Sequence, residues 1–135
     1  MDVDDSAIVA AIRDAQPACI GIYLFGSRAQ TGLLRPDSDL DVAVLGPTLV
    51  DVDTIERARE NLQRVFPGEV DLIDLRSVDT VFQHQILAHG RVLWRDPTSD
   101  AIAYEVFAIK EYADESVRRQ PIINDIIARG RVVHA

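Results

Sequence analysis

Apolar residues recur along this chain at two spacings, which predict where helices and strands form. Segments with apolar residues three and four positions apart predict helices at residues 6–15, 52–66 and 79–89. Short apolar runs predict strands at residues 20–25, 40–45 and 70–75, with a short edge strand at 91–94. Because strands alternate with helices, the pattern predicts an α/β fold.

Capping and turn residues set the expected ends of the helices. Asp5 or Ser6 is expected to cap the first helix, and Asp51 or Asp53 the second. Gly90 is expected to end the third helix. Three apolar residues of that third helix are predicted to face the core: Val81, Phe82 and Ile86.

A helical extension is predicted after Pro97. We expect a long helix at residues 99–117, a break at Pro121 and a last short helix at 122–130. The long helix carries two apolar stripes, one of Ile102, Val106, Ile109, Ala113 and Val117 and one of Tyr104, Ala108 and Tyr112. The tyrosine stripe is most simply a packing surface, and the alternative is a face that binds a partner. The expected organisation is a core of residues 1–96 and an extension of residues 97–135, packed on the core or on a partner.

Composition and charge narrow the classes of function. The formal net charge is −8, with 22 acidic against 14 basic residues and no basic block, so stable binding to nucleic acid is not expected. An acidic surface suits a basic protein partner. No apolar stretch is long enough to span a bilayer, and the acidic N-terminus is unlike a signal peptide. With a single cysteine, Cys19, interpreted as a small apolar core residue, these features predict a cytoplasmic protein.

The candidate chemistry begins with two aspartates one residue apart. Asp39 and Asp41 lie at the start of the second predicted strand, where residues two apart share a face. Their backbone positions would be about 7 Å apart, from two rises of about 3.3 Å. Like charges at this range are unfavourable without a cation between them. Oxygen ligands on one rigid edge suit Mg²⁺ and the phosphates that it carries.

Two further features accompany this pair. Gly26 and Ser27 directly follow an apolar strand, where the backbone amides and the hydroxyl can approach the phosphates of a nucleotide. Asp71 lies inside the next apolar strand, where a carboxylate is costly unless it is paired or bound to a cation. A third carboxylate would complete the shell of one of two metal ions or accept the proton of an attacking hydroxyl.

Simpler explanations exist for each of these residues. A solvated strand end would explain Asp39 and Asp41, and Asp74 is an alternative to Asp71 that by its position would instead cap the following turn. Arg28 and Arg35 flank the proposed nucleotide site, and phosphate contact and a plain surface role are equally good explanations of both. No chemistry is assigned to the three histidines, because none has metal-ligand spacing with a second histidine or cysteine.

Three segments together resemble a known superfamily. The sequences LFGSRA at residues 24–29, PDSDLDVAV at 36–44 and VDLIDL at 70–75 look like the DNA polymerase β-type nucleotidyltransferases, and more narrowly their minimal nucleotidyltransferase (MNT) branch. The resemblance covers roughly residues 5 to 95. It departs from the usual Gly-Ser-x-Ala-x-Gly motif at one place, since the second glycine, Gly32, comes one residue late and lengthens the loop before the acid pair.

The resemblance implies a fold, a reaction and a partner. It implies a small mixed β-sheet flanked by helices, ATP as substrate with two Mg²⁺ ions, Gly26 and Ser27 at the triphosphate, and Asp39, Asp41 and Asp71 as catalytic metal ligands. It further implies an antitoxin that transfers AMP to a hydroxyl, a tyrosine of a cognate HEPN ribonuclease toxin, and so neutralises that toxin. Two alternatives stay open: a non-catalytic antitoxin that acts by occlusion, and an enzyme acting on a small molecule such as an aminoglycoside, for which a homodimer would have to build the acceptor pocket.

Overall fold

The computed structural model describes residues 4–26 and 39–128, and for residues 117–128 it describes the backbone alone. Four strands form one sheet: β1 (Gly21–Phe25), β2 (Leu40–Leu45), β3 (Val70–Asp74) and β4 (Arg91–Arg95). Their spatial order is β3-β2-β1-β4. β1 pairs antiparallel with β2 and with β4, whereas β2 and β3 are parallel. The predicted mixed sheet and the edge position of the 91–94 strand are confirmed.

The helices cover both faces of this sheet. Within the described residues they are α1 (Asp5–Ala15), α2 (Val52–Val65), α3 (Thr80–His89) and α4 (Asp100–Ala128). One face buries a core that includes Ile12, Ile22, Val42 and Leu62, which places α1 and α2 on that side. The other face buries a second core around Tyr23, Ala43, Ile86 and Ala101, which places α3 and the start of α4 there. None of these helices is long and apolar enough to cross a membrane.

Local capping explains where the helices start. Asp51 accepts a hydrogen bond from the Thr54 amide, and Asp79 one from the Phe82 amide, as expected of N-cap residues. The cap of α1 is one residue earlier than predicted, because Asp4 accepts from the Ser6 amide. Gly90 caps the end of α3, as predicted.

Two predictions about the helices are wrong. Pro121 does not break the chain, since α4 continues from Asp100 to Ala128. A proline inside a helix removes one backbone hydrogen bond, at a cost of about 3 kcal/mol, and this 29-residue helix continues through it. Val81 and Phe82 do not face the core: each is 38% exposed. Ile86 is buried, and Leu87 packs against the core beside it, so the inner face of α3 is centred on these two residues. The end of the predicted last helix, at Gly130, lies outside the described residues.

The two apolar stripes of α4 have different environments. Tyr104, Ala108 and Tyr112 face α3: the Tyr104 hydroxyl donates to Gln83 Oε1 at 3.0 Å, and the Tyr112 ring stacks on His84 with centroids 3.8 Å apart. The simpler interpretation of this stripe, as packing, is confirmed. Ile102, Val106 and Ile109 of the other stripe are 49%, 60% and 45% exposed.

Candidate active site

Strand register brings the acidic residues to one end of the sheet. Asp41 of β2 pairs with Asp71 of the parallel neighbour β3, and on its other side with Phe25 of β1. Directly paired residues point to the same face of a sheet, about 4.8 Å apart from strand to strand. Asp39 precedes β2 by one residue and is exposed. Asp71, Asp41 and Phe25 therefore form a row across three strands, with Asp39 beside it.

The electrostatics of Asp41 reflect this crowding. Burial raises the pKa of the Asp41 carboxyl, and the negative charges of Asp71 and Asp39 raise it further. The three groups are therefore close enough to interact, although within residues 4–26 and 39–128 no three acidic, histidine or cysteine side chains are gathered as a ready ligand set.

Gly26 brings the end of β1 against this row. Its φ is +77°, a left-handed conformation that L side chains rarely adopt. A Cβ at this position would also overlap the Asp41 carboxylate. Only glycine satisfies both constraints, so the backbone after β1 passes directly beside the acid pair. Ser27, Arg28, Gly32 and Arg35 lie outside the described residues.

Asp74, the alternative third acid, has a structural position. It is 6% exposed and points away from Asp71, as residues three apart on a strand do. Its Oδ2 accepts from the Val50 amide at 2.8 Å and its Oδ1 from the Arg76 amide at 2.9 Å, at the start of a 3₁₀ turn, Leu75–Ser77. The expectation that Asp74 caps this turn is confirmed, and Asp71 is the acid of β3 that faces Asp41.

A match to a family model decides what kind of protein carries this site. Residues 9–98 match the family "Polymerase beta, Nucleotidyltransferase", which spans both the acid row and Gly26. The chain belongs to this nucleotidyltransferase family. The resemblance inferred from the Gly-Ser and Asp-x-Asp modules is therefore confirmed.

Individual relatives of this nucleotidyltransferase extend the match to nearly the whole chain. It is 35% identical over 129 residues to the protein adenylyltransferase MntA of Shewanella oneidensis, covering 93% of this chain and 89% of that protein. A solved toxin–antitoxin structure with AMP-PNP matches with a TM-score of 0.76 and 34% identity, over 92% of this chain and 98% of that one. A complex of tri-AMPylated Shewanella oneidensis HEPN toxin with MNT antitoxin matches with a TM-score of 0.70 and 32% identity, over 91% and 95%.

Beside the acid row, this nucleotidyltransferase has a cavity that sequence analysis did not single out. Its volume is about 200 Å³, and Phe25, Gly26, Phe82, Gln85 and Ile86 contribute to its lining. The two phenylalanine rings meet edge to face with centroids 5.6 Å apart. The one signal in the sequence was the position of Phe25, directly before the Gly-Ser pair. The contribution of α3 required the tertiary structure.

The same nucleotidyltransferase anchors α4 through a second unpredicted cluster. Tyr23 is 1% exposed, and its hydroxyl donates to Glu105 Oε2 at 2.8 Å. Arg95 donates to both oxygens of Glu105, from Nε at 2.8 Å and Nη2 at 2.7 Å. This cluster connects the start of α4 to β1 and β4. Tyr23 and Glu105 are 82 residues apart in the sequence.

Proposed function

We propose that this nucleotidyltransferase is an MNT-type antitoxin that transfers AMP from ATP to a tyrosine hydroxyl of its cognate HEPN toxin and so neutralises it. The observation that carries the proposal is the match to the protein adenylyltransferase MntA over 93% of this chain. The similarity to the MNT antitoxin solved with a tri-AMPylated HEPN toxin supports the acceptor. We also propose that it acts in the cytoplasm, which its single cysteine suits.

Nucleotide binding is assigned to Gly26 and Ser27. Two observations support this role: the backbone at Gly26 is left-handed, and it lies close to the Asp41 carboxylate. Backbone amides at such a turn can donate hydrogen bonds to phosphate oxygens. The related structure with AMP-PNP supports ATP as the donor. The hydroxyl of Ser27 would add a further donor to the outer phosphates.

The donor set fits Mg²⁺. Asp39, Asp41 and Asp71 supply oxygen ligands only, and the raised pKa of Asp41 marks a place where bound positive charge is favourable. Bound Mg²⁺ would neutralise phosphate charge and lower the pKa of the attacking hydroxyl. Asp39, Asp41 and Asp71 are the residues that would hold these ions.

The reaction that these residues would support is an in-line displacement. The tyrosine oxygen forms a bond to the α-phosphorus of ATP, the bond from that phosphorus to the bridging oxygen of the β-phosphate breaks, and pyrophosphate leaves. The phenolic proton passes to the Asp71 carboxylate, which faces the row from β3. Gly26 and Ser27 hold the β- and γ-phosphates, so the leaving group stays in line.

Transfer of label from ATP to the toxin tests this function. We expect ATP labelled at its α-phosphate to label the cognate HEPN toxin in the presence of Mg²⁺. Asp39→Asn with Asp41→Asn, or Asp71→Asn alone, should lower this transfer at least about a hundredfold, because ligands for charge neutralisation are lost. Glu60→Gln, an exposed acid of α2, is the matched control and should transfer AMP at the wild-type rate.

A contrast within β3 separates chemistry from folding. Asp71→Asn should not lower the melting temperature, because the negative charge of Asp71 adds to the cost of ionised Asp41. Asp74→Asn should lower it, because one buried acceptor of a backbone amide becomes a donor. An unlabelled toxin with the wild-type protein would contradict the proposal. Undiminished protection of cells by the Asp39→Asn, Asp41→Asn variant would favour occlusion, and labelling of a small acceptor alone would favour the small-molecule alternative.

A further inference from the structure

The cavity beside Gly26 is built by two elements that are distant in sequence. Phe25 and Gly26 form one wall at the end of β1. The other wall lies on α3 and its C-cap and consists of Phe82, Gln85, Ile86, His89 and Gly90. Ile86 is 2% exposed and closes the floor, whereas Phe82 is 38% exposed at the rim. The volume of about 200 Å³ suits one aromatic ring system, since an apolar cavity of about 150 Å³ holds benzene.

The cavity lies on a defined side of the acid row. Phe25 pairs with Asp41, and Asp41 pairs with Asp71 on the next strand. The order across the sheet is therefore Asp71, Asp41, Phe25, with the cavity beyond Asp41 on the side opposite Asp71. If Asp71 is at the acceptor hydroxyl and Gly26 is at the triphosphate, the cavity is on the nucleotide side of the site.

The wall formed by α3 is held in place by a close approach of backbone. The Gly90 amide donates to the Ile86 carbonyl at 2.8 Å, and a Cβ on Gly90 would lie 2.6 Å from the Leu24 carbonyl oxygen. Any larger residue would push the end of α3 away from β1. The cavity is thus a preformed feature, which lowers the cost of ordering a ligand in it.

The lining has the chemistry of a nucleobase site. Phe25 and Phe82 offer aromatic surface, on which a flat base can stack. Gln85 places a side-chain amide at the same cavity, and an amide can donate to and accept from adjacent polar atoms of an adenine edge. The aromatic surface and the amide together match one flat ring with polar edges.

We propose that this cavity binds the adenine base of ATP, with Phe82 as the stacking residue and Gln85 as the residue that distinguishes adenine from guanine. The proposal rests on the proposed adenylyl-transfer function, which supplies the nucleotide. The proposal adds where the base binds and which residues select it. The stacking and selecting residues lie on α3 and not in the Gly-Ser or Asp-x-Asp motifs.

Equilibrium binding of nucleotide, without the toxin, tests the proposal. We expect Phe82→Ala to weaken ATP binding about five- to hundredfold while binding of inorganic tripolyphosphate is unchanged. Phe82→Leu should fall between wild type and Phe82→Ala. Gln85→Ala should reduce the preference for ATP over GTP. Val81→Ala is the matched control, because Val81 is also 38% exposed on α3 and does not line the cavity.

Other outcomes would overturn the base site. Unchanged ATP binding in both Phe82→Ala and Gln85→Ala would do so, and equal weakening of ATP and tripolyphosphate would show that α3 acts on the phosphate site instead. A raised KM for the toxin with an unchanged KM for ATP would assign the cavity to the acceptor tyrosine. The binding experiment does not depend on AMP transfer. If the protein binds ATP through this cavity but labels no toxin, the proposed function is contradicted and the base site is not.

Discussion

At the scale of single residues, Asp41 carries an electrostatic cost that comes from burial and from two neighbouring acids. Burial and the charges of Asp71 and Asp39 raise its pKa above the ordinary value of an aspartate. A folded-state pKa above the unfolded one means that the folded state binds the proton more tightly. Ionised Asp41 therefore destabilises the fold above its folded pKa, and this cost disappears below the unfolded pKa, where both states are protonated.

Replacement of Asp41 should therefore stabilise the protein while it removes a catalytic ligand. We expect Asp41→Asn to raise the melting temperature at pH 7 in the absence of divalent cations, and we expect the difference from wild type to vanish as the pH falls below about 4. Thermal melts across this pH range measure both effects. Asp53→Asn, an exposed acid in the first turn of α2, should show no such gain. A lower melting temperature for Asp41→Asn at pH 7 would contradict the electrostatic account.

At the scale of elements, the position of α4 depends on the cluster of buried Tyr23, half-buried Glu105 and exposed Arg95. Burial acts to raise the pKa of Glu105, but hydrogen bonds from Arg95 and Tyr23 outweigh it and hold the pKa below its ordinary value. A lowered folded-state pKa contributes stability above the unfolded pKa, which is lost as the pH falls through the folded pKa. The attachment of α4 is therefore weaker in acid.

Removal of the Tyr23 hydroxyl tests this attachment. Tyr23→Phe should lower the free energy of unfolding by about 1–2 kcal/mol at pH 7, because a buried hydrogen bond to an ionised carboxylate is lost while the ring is kept. The loss should become smaller as Glu105 is protonated. Chemical denaturation at pH 7 and in acid measures it, with Tyr112→Phe, whose ring stacks on His84, as control. Equal losses at both pH values would mean that the charge of Glu105 is not involved.

At the scale of the whole molecule, one apolar stripe of α4 is exposed and does not pack on the core. Ile102, Val106 and Ile109 share one face of the helix, and all are about half exposed, while the opposite stripe packs on α3. Contiguous exposed apolar surface usually marks an interaction site. We expect the proposed HEPN toxin to bind this surface. Its acceptor tyrosine would then have to reach the active site of the bound nucleotidyltransferase.

Charge placed on this stripe should affect assembly and leave folding intact. We expect Ile102→Glu with Val106→Glu to raise the Kd for the toxin at least about tenfold. The two charges would be buried without partners in the interface, which is costly. The melting temperature and the affinity for ATP should stay at wild-type values. Leu49→Glu with Val52→Glu provides a control, since these apolar residues are 66% and 75% exposed outside α4. Equal weakening by both pairs would show that added negative charge, rather than the stripe, lowers the affinity.

Much of the fold was accessible from the sequence because its causes are local. Period-two alternation predicted β2 with Asp39 and Asp41 on one face, and the cap at Asp51 was predictable because it needs only the amide three residues on. Asp79 was predicted inside α3, whereas it is the cap of that helix. The position of Asp74 at the start of a turn was equally local. The residue order of glycine, serine and paired aspartates was sufficient to identify the family.

Only the tertiary structure decided which distant residues meet. The pairing of Asp41 with Asp71 and Phe25 depends on strand order, and the burial of the tyrosine stripe rather than the isoleucine stripe depends on where α3 packs. The same holds for the cavity between Phe25 and Phe82 and for the link from Tyr23 to Glu105. Apolar periodicity predicts that one face of an element is buried. Which segment covers that face depends on contacts between parts of the chain that are far apart in sequence, and no local pattern of residues encodes those contacts.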